Sequence, residues 1–192
     1  MEPMRDVWNP GRVSCVTPPV KKVLVIGSCG AGKSVFSRRL GVVTGLPVIH
    51  LDRHFWRAGW VEPSRDVWWQ QVEDLLKGDA WIIDGNYSRT MDLRLGHCDT
   101  VIFLDYPRHI CTWRVLKRTL IYRGASRPDV AEGCPEKMSW DFIKWTWNYP
   151  VRSRPSVLDR LARVAEKVTI VTLHDDEETD EFLVDAAKKH GK

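Results

Sequence analysis

The sequence predicts an α/β fold, a parallel sheet of five strands with helices on both faces. Two observations carry this reading. Short apolar runs of strand type alternate along the chain with longer segments of helical periodicity. The first run, Val23-Leu24-Val25-Ile26, leads into Gly27-Ser28-Cys29-Gly30-Ala31-Gly32-Lys33-Ser34. That octapeptide is a full match to G-x-x-x-x-G-K-[ST], and a helical segment follows it directly. Strand, glycine-rich loop and helix in that order make a phosphate-binding loop. The expected architecture is therefore the three-layer P-loop NTPase fold with a lid insertion.

Each element has its own signal. The first strand covers about 22–27, and the first helix about 33–44, stopping near Gly45. Pro47-Val48-Ile49-His50-Leu51 reads as a short second strand ending at Asp52. Ser64 can cap a helix that carries Trp68, Val72, Leu75 and Leu76 on one face, with Gly78 just past its end. Trp81-Ile82-Ile83-Asp84 is the third strand and Thr100 to Asp105 the fourth. A helix follows over about 108–122, with Ile110, Trp113, Leu116 and Leu120 as its apolar stripe. Spacing assigns Trp68 and Trp113 to the core. Residues 123–138 hold glycines, prolines and charges and read as an excursion from the sheet, the lid. Ser139 starts a helix with Trp140, Ile143 and Trp147, ended by Pro150, and another starts near Pro155. Val168 to Thr172 is the last strand, and 178–189 the closing helix, with the acidic run Asp175 to Glu178 at its positive end.

At 192 residues the chain is long enough for one domain with a proper core, expected over 21–192 behind a loose extension over 1–20. The net charge of +4 suits a protein that handles phosphates and is too small to argue for nucleic acid by itself. No run of eighteen apolar residues predicts a membrane span, and the first twenty residues lack a signal-peptide core. The five cysteines, Cys15, Cys29, Cys98, Cys111 and Cys134, form no C-x-x-C pair, so neither a disulfide framework nor a zinc site is expected. A reducing cytoplasm is the expected setting.

The chemistry belongs at the carboxyl ends of the strands. Glycines let the loop backbone wrap a phosphate, so Gly27, Ser28, Cys29, Gly30, Ala31, Gly32, Lys33, Ser34 and Val35 are expected to bind ATP. Lys33 reaches the β- and γ-phosphates, and the Ser34 hydroxyl holds Mg²⁺. Asp84 and Asp105 each follow four apolar residues, so both resemble a Walker B carboxylate able to hold Mg²⁺ directly or through water. A strand-end carboxylate capping the next turn is the structural alternative for either. His50 and Asp52 project to the same side if the second strand continues. Asp52 is positioned to take the proton of an attacking hydroxyl, to bind substrate, or to hold water on the metal. His50 reads as a buried, hydrogen-bonded histidine. Arg114, Lys117 and Arg118 share a helix face, with Arg123 and Arg127 beyond and no carboxylate from 106 through 128. Trp56 and Trp60, just after Asp52, suit either stacking on a ring or ordinary packing.

These residues resemble the nucleoside-monophosphate-kinase group of P-loop proteins. Adenylate kinases carry Asp-Gly-Phe-Pro-Arg after the third strand; here the text is Asp84-Gly85-Asn86-Tyr87-Ser88-Arg89, with the arginine one place later and no proline. A closer resemblance is to the adenylate-kinase-like DNA topology modulation protein family. It rests on Val48-Ile49-His50-Leu51-Asp52, Phe55-Trp56, Gly59-Trp60, Ile82 to Tyr87, Arg127-Pro128-Asp129, Glu132 to Glu136 and Arg152-Ser153-Arg154-Pro155, and covers about 20–173. The resemblance implies that Arg114 lies against the nucleotide base and Arg118 on phosphate, with Arg152 and Arg154 on the far side of a lid.

The expected activity is ATP- and Mg²⁺-dependent transfer of a phosphoryl group to a nucleotide or similar small molecule, a nucleoside monophosphate among the candidates. Lys33, Asp52, Asp84, Arg118 and Arg152 are its expected catalytic residues, and Ser34, Asp84 and Asp105 its metal residues. Within the same class stands a kinase for a small hydroxyl compound with Asp52 as base. A different class, a DNA-binding ATPase, would use the basic and aromatic residues between 113 and 154 on single strands, with no helix-turn-helix or zinc finger to support it. The Asn-Lys-x-Asp guanine signature and the Leu-Ser-Gly-Gly-Gln transporter signature are absent.

Overall fold

The computed structural model describes residues 20–190. The extension predicted over 1–20 lies outside the described residues, apart from Val20. Five strands form one sheet: β1 (Lys22–Gly27), β2 (Val48–His50), β3 (Trp81–Asp84), β4 (Thr100–Leu104) and β5 (Thr169–Leu173). Their order is β2-β3-β1-β4-β5, and every pairing is parallel. The helices are α1 (Lys33–Thr44), α2 (Leu51–Phe55), α3 (Arg65–Leu76), α4 (Met91–Leu95), α5 (Arg108–Ile121), α6 (Trp140–Trp147), α7 (Tyr149–Arg152), α8 (Arg154–Val164) and α9 (Asp176–Lys189).

Alternation along the strands makes the three layers. Leu24, Ile26, Ile83, Val101, Phe103 and Ile170 point to one face, where Trp68, Val72 and Leu76 of α3, Met91 and Leu95 of α4, and Val157 and Leu161 of α8 cover them. Val23, Val25, Ile82, Ile102, Leu104 and Leu173 point to the other, under Phe36 and Leu40 of α1, Cys111 of α5 and Leu183 of α9. Both faces are dry, which is why the strands read as unbroken apolar runs. Helix ends follow their signals: Ser64 accepts from Val67 N, Ser139 from Phe142 N, and Asp175 from Glu178 N.

Four local expectations are corrected. The second strand stops at His50, and Leu51 starts α2, so Asp52 lies in a helix and does not extend the strand alternation with His50. Leu51 and Phe55, one helical turn apart, are both buried, and that pair outweighs the strand pattern. Trp113 is 65% exposed; α5 buries Cys111, Thr112, Val115 and Thr119. The buried stripe begins at Cys111, whose carbonyl oxygen the loop after β1 approaches at Gly30. Leu120 of the expected stripe is exposed as well. Finally, Pro150 does not end the helix begun at Ser139. That helix ends at Trp147, and Pro150 sits in the first turn of α7, where no intrahelical donor is needed.

The 123–138 segment is a narrow loop held by bridges between Arg123 and Glu136 and between Ser126 and Pro135. It docks on the stretch after α2: Gly59 N donates to Gly133 O at 2.8 Å, and Trp60 Nε1 to Pro135 O at 3.0 Å. Val130, Cys134, Arg127 and Glu136 are buried in it.

Candidate active site at the carboxyl edge of the sheet

The glycine-rich loop leaves the central strand and ends in the first turn of α1. That turn carries no acidic residue of its own, and its N–H groups and dipole face the loop. Two glycines do different work. A Cβ at Gly30 would lie 2.2 Å from the Cys111 carbonyl oxygen, so the loop presses directly on the α5 backbone. At Gly32, with φ 94°, a Cβ would enter the concave side of the loop, its nearest neighbour being Arg114 Nη1 at 3.8 Å. Glycine backbone beside open space is a fit for phosphate, and the Arg114 guanidinium stands at its edge. Lys33 Nζ bonds back to the Gly27 and Ser28 carbonyls at 3.1 and 3.0 Å, which holds its charge at the loop. Val35 is exposed one residue past Ser34.

A second layer holds the loop in place. Asn86 Oδ1 accepts from Gly27 N at 3.0 Å, tying the β3 exit to the β1 exit. Arg94, with no exposure, is the anchor of that exit. It donates to the carbonyls of Gly85, Asn86, Tyr87 and Thr90 at 2.6–3.2 Å. Burial lowers its pKa to about 9, which leaves it a cation at neutral pH. The sequence reading missed Arg94; its only signal was an arginine in the apolar stretch Met91-Asp92-Leu93-Arg94-Leu95.

Of the two Walker B candidates, Asp84 is buried at the end of β3, opposite Val25 of β1. His50 Nδ1 donates to its Oδ2 at 2.9 Å, so the histidine is satisfied there and orients the carboxylate. Asp105 follows β4, and Arg154 engages both its oxygens at 2.8–3.0 Å. A cation therefore sits where a second metal carboxylate was expected. Among the described residues no three His, Cys, Asp or Glu side chains gather as a protein-only metal cage. A serine hydroxyl with one carboxylate suits Mg²⁺, which takes few protein ligands and completes its shell with phosphate oxygens and water.

Opposite the loop stands Asp52. Its Oδ1 accepts from the Tyr87 hydroxyl at 2.6 Å, and its Oδ2 lies 3.9 Å from Arg127. Lys33, Arg118, Asp52 and Arg127 all lie within electrostatic reach of the Cys29 thiol, which places the loop, the lid and α2 around one space. Burial nonetheless raises the Cys29 pKa, so it is a poor thiolate at neutral pH. Arg127 bonds Asp129 at 3.1 Å and approaches Glu136 at 2.5 Å; Arg118 Nε lies 3.3 Å from the same Glu136 oxygen. The Ser34 hydroxyl reaches Asp129, whose carboxyl burial raises but Arg127 and these hydrogen bonds bring net below its ordinary range. In the sequence Asp129 and Glu136 stand out only as parts of Arg127-Pro128-Asp129 and of the stretch Glu132 to Glu136. Arg114 bonds Asp176 at 2.6 Å and lies over the Tyr106 ring at 5.1 Å. Arg152 is exposed on α7.

No family model matches the chain, and no curated protein matches it. Among solved structures it is similar to a gluconokinase from Sinorhizobium meliloti 1021, at 16% identity over 89% of this chain and 91% of that one, with a TM-score of 0.49. It is also similar to a "putative kinase" from Chloroflexus aurantiacus J-10-fl, at 14% identity over 89% of this chain and 98% of that one, with a TM-score of 0.50. The second likeness is one of fold, and it agrees with the P-loop NTPase architecture. No helix among the described residues is long and apolar enough to cross a membrane.

Proposed function

We propose that this chain is an ATP- and Mg²⁺-dependent phosphotransferase acting on a nucleotide or similar small molecule. One observation carries the reading. The phosphate loop and the Asp52–Tyr87 pair face a common space, to which the docked lid adds the guanidinium group of Arg127 and α5 that of Arg118. The kinase name of the Chloroflexus protein agrees with this.

In this reading the loop from Gly27 to Val35 binds the phosphates of ATP, and Lys33 orients them. Arg114, beside Tyr106 and Asp176, borders the base. Ser34 and Asp84 hold Mg²⁺, with Asp105 in support through its pair with Arg154. When bound, Mg²⁺ offsets charge on the β- and γ-phosphates. Arg118 and Arg152 offset charge that develops on the transferred group. Asp52, fixed by Tyr87, orients the acceptor and takes its proton where the acceptor is a hydroxyl.

Calorimetric titration of Lys33→Ala with a non-hydrolysable ATP analogue tests the reading. Losing a charge-assisted contact of about 1.5–3 kcal/mol should weaken binding roughly 10- to 100-fold. Unchanged affinity together with unchanged turnover would overturn it.

The second reading is a nucleic-acid-binding ATPase. Exposed Trp113, Trp140, Trp145 and Trp147 with Lys117 and Lys144 on α5 and α6 favour it. Stimulation of ATP turnover by single-stranded DNA, and by no small acceptor, would select it.

A further inference from the structure

The charge around Asp52 says what kind of acceptor the site takes. Three carboxylates meet there, Asp52, Asp129 and Glu136, against two guanidinium groups, Arg127 and Arg118. Arg127 is spent on carboxylates, whereas Arg118 meets only one of them, through Nε, and still serves the transferred phosphoryl group. Arg127, 9% exposed, lies against Glu136 and Asp129, and Arg118 against the same Glu136 oxygen. Sites for a phosphate or carboxylate substrate present the arginine fork unopposed, because the fork's value lies in two parallel bonds to the anion. Here an anionic acceptor would have to displace carboxylates that the lid itself supplies, and it would face Asp52 as well.

Asp52 is the carboxylate with room for a ligand. Its side chain is 39% exposed, Tyr87 occupies Oδ1 alone, and Arg127 stands at 3.9 Å from Oδ2, beyond hydrogen-bond reach. That oxygen can accept from a hydroxyl or an ammonium and repels an anion. The neighbouring wall is aromatic. Partly buried Trp56 and Trp60 form it, meeting edge to face at 5.2 Å, with the buried ring of Phe55 behind Trp56 at 4.9 Å and behind Tyr87 at 4.6 Å. Trp60 is braced on the lid through Pro135. Ring faces beside a carboxylate suit an uncharged apolar or amine-bearing body.

We infer that the phosphoryl acceptor is a small hydroxyl compound that is uncharged or carries an amine, and that nucleoside monophosphates and sugar acids are excluded. This rests on the phosphotransferase reading above and narrows it, keeping the small hydroxyl compound and dropping the nucleotide acceptor. The acceptor hydroxyl oxygen forms the new bond to the γ-phosphorus as the bond from that phosphorus to the β–γ bridging oxygen breaks. ADP leaves with the bridging oxygen, and the hydroxyl proton passes to Asp52 Oδ2.

The test is ADP release by the full chain with ATP and MgCl₂ against a panel of nucleoside monophosphates, sugar acids, neutral polyols, nucleosides and amino alcohols. Transfer is verified by ³¹P spectra of the product. The expected result is at least about tenfold stimulation by one or more neutral or amine-bearing alcohols and none by the anions, the ratio expected of one charge-assisted contact. Preference for a monophosphate or a sugar acid overturns the inference, and so does failure of every neutral or amine-bearing alcohol to exceed the rate with water. Titration with an ATP analogue, run alongside, separates the two levels. Retained nucleotide binding with an anionic acceptor removes this inference alone. Absence of nucleotide binding removes the phosphotransferase reading itself.

Discussion

The Tyr87 hydroxyl donates to Asp52 Oδ1 at 2.6 Å, joining α2 to the loop after β3. Burial first, and the Asp52 charge second, push the Tyr87 phenol far above its ordinary range, so it stays a donor at every pH at which the enzyme would work. The carboxylate therefore keeps one oriented oxygen and leaves the other for the acceptor.

Asp52→Asn keeps this geometry and removes the base. It should lower kcat by about 10²–10⁴-fold with little change in ATP affinity. Tyr87→Phe removes one hydrogen bond to a charged group, about 1.5 kcal/mol or roughly tenfold in kcat/KM. Because a raised phenol pKa keeps the proton on as pH climbs, Tyr87→Phe should leave any alkaline limb of the pH–rate profile where it is. Steady-state kinetics from pH 6 to 10 check both variants. An alkaline limb that vanishes in Tyr87→Phe would show that the phenol titrates.

Asp84 and Asp105 should separate by what they lose. Asp84→Asn removes the one strand-end carboxylate that His50 orients, so turnover should fall and the Mg²⁺ concentration for half-maximal rate should rise. Asp105→Asn leaves Arg154 without its two-oxygen partner. Its cost should appear in thermal stability, with Mg²⁺ dependence nearly normal. Mg²⁺ titrations of both variants, beside melting curves, check this; a larger Mg²⁺ shift in Asp105→Asn would reverse the assignment.

Arg94 gives the largest expected loss of stability. Its four carbonyl acceptors belong to residues 85–90, the stretch that presents Asn86 to the phosphate loop and Tyr87 to Asp52. Arg94→Met fills the space but orphans buried carbonyls, at about 3 kcal/mol or more in all. For a chain of this size that is a fall in Tm of roughly 6–12 °C. Arg94→Lys should recover part of the Tm and less of the kcat, because one ammonium cannot span the same carbonyls. Melting curves and kcat measured together check this. Equal recovery of both would make Arg94 a packing residue only.

Much of this was open to reading in the sequence. Val23 to Ser34 announced strand, loop and helix without ambiguity, because each residue type there answers to backbone geometry that no tertiary contact overrides. Trp81 to Asp84 and Thr100 to Leu104 were equally plain, since strands dry on both faces carry no polar interruptions. The misses have a common cause. Leu51 and Phe55 are apolar at a spacing that a five-residue window cannot tell from a strand end followed by a loop. Trp113 fits an apolar stripe, yet the stripe that α5 buries is made of Cys111, Thr112, Val115 and Thr119, small and partly polar residues that apolar spacing does not pick out, with Cys111 against the loop at Gly30. Asp52 finds its partners, Tyr87 and Arg127, in segments far from it in the chain. Charges joined only by folding leave no periodic trace.

Arg118 and Arg152 look alike in the sequence and differ in where the fold puts them. Arg118 lies between Glu136 at 3.3 Å and the Phe142 ring at 5.9 Å, within electrostatic reach of Cys29 in the loop. Arg152 is exposed at the end of a four-residue helix. A guanidinium held beside the loop acts on developing charge at little ordering cost, whereas an exposed one must first be brought in and fixed. Arg118→Ala should therefore lower kcat by about 10²–10³-fold while ATP affinity changes by only a few-fold. Arg152→Ala should lower kcat by less than about tenfold, the size of one solvent-screened contact. A coupled assay for kcat and calorimetry for the ATP analogue measure the two quantities separately. Titration with single-stranded DNA at two salt concentrations completes the comparison. If both variants keep normal phosphotransfer and lose DNA affinity with a shallower salt slope, these arginines serve a nucleic-acid surface and the phosphotransferase reading fails.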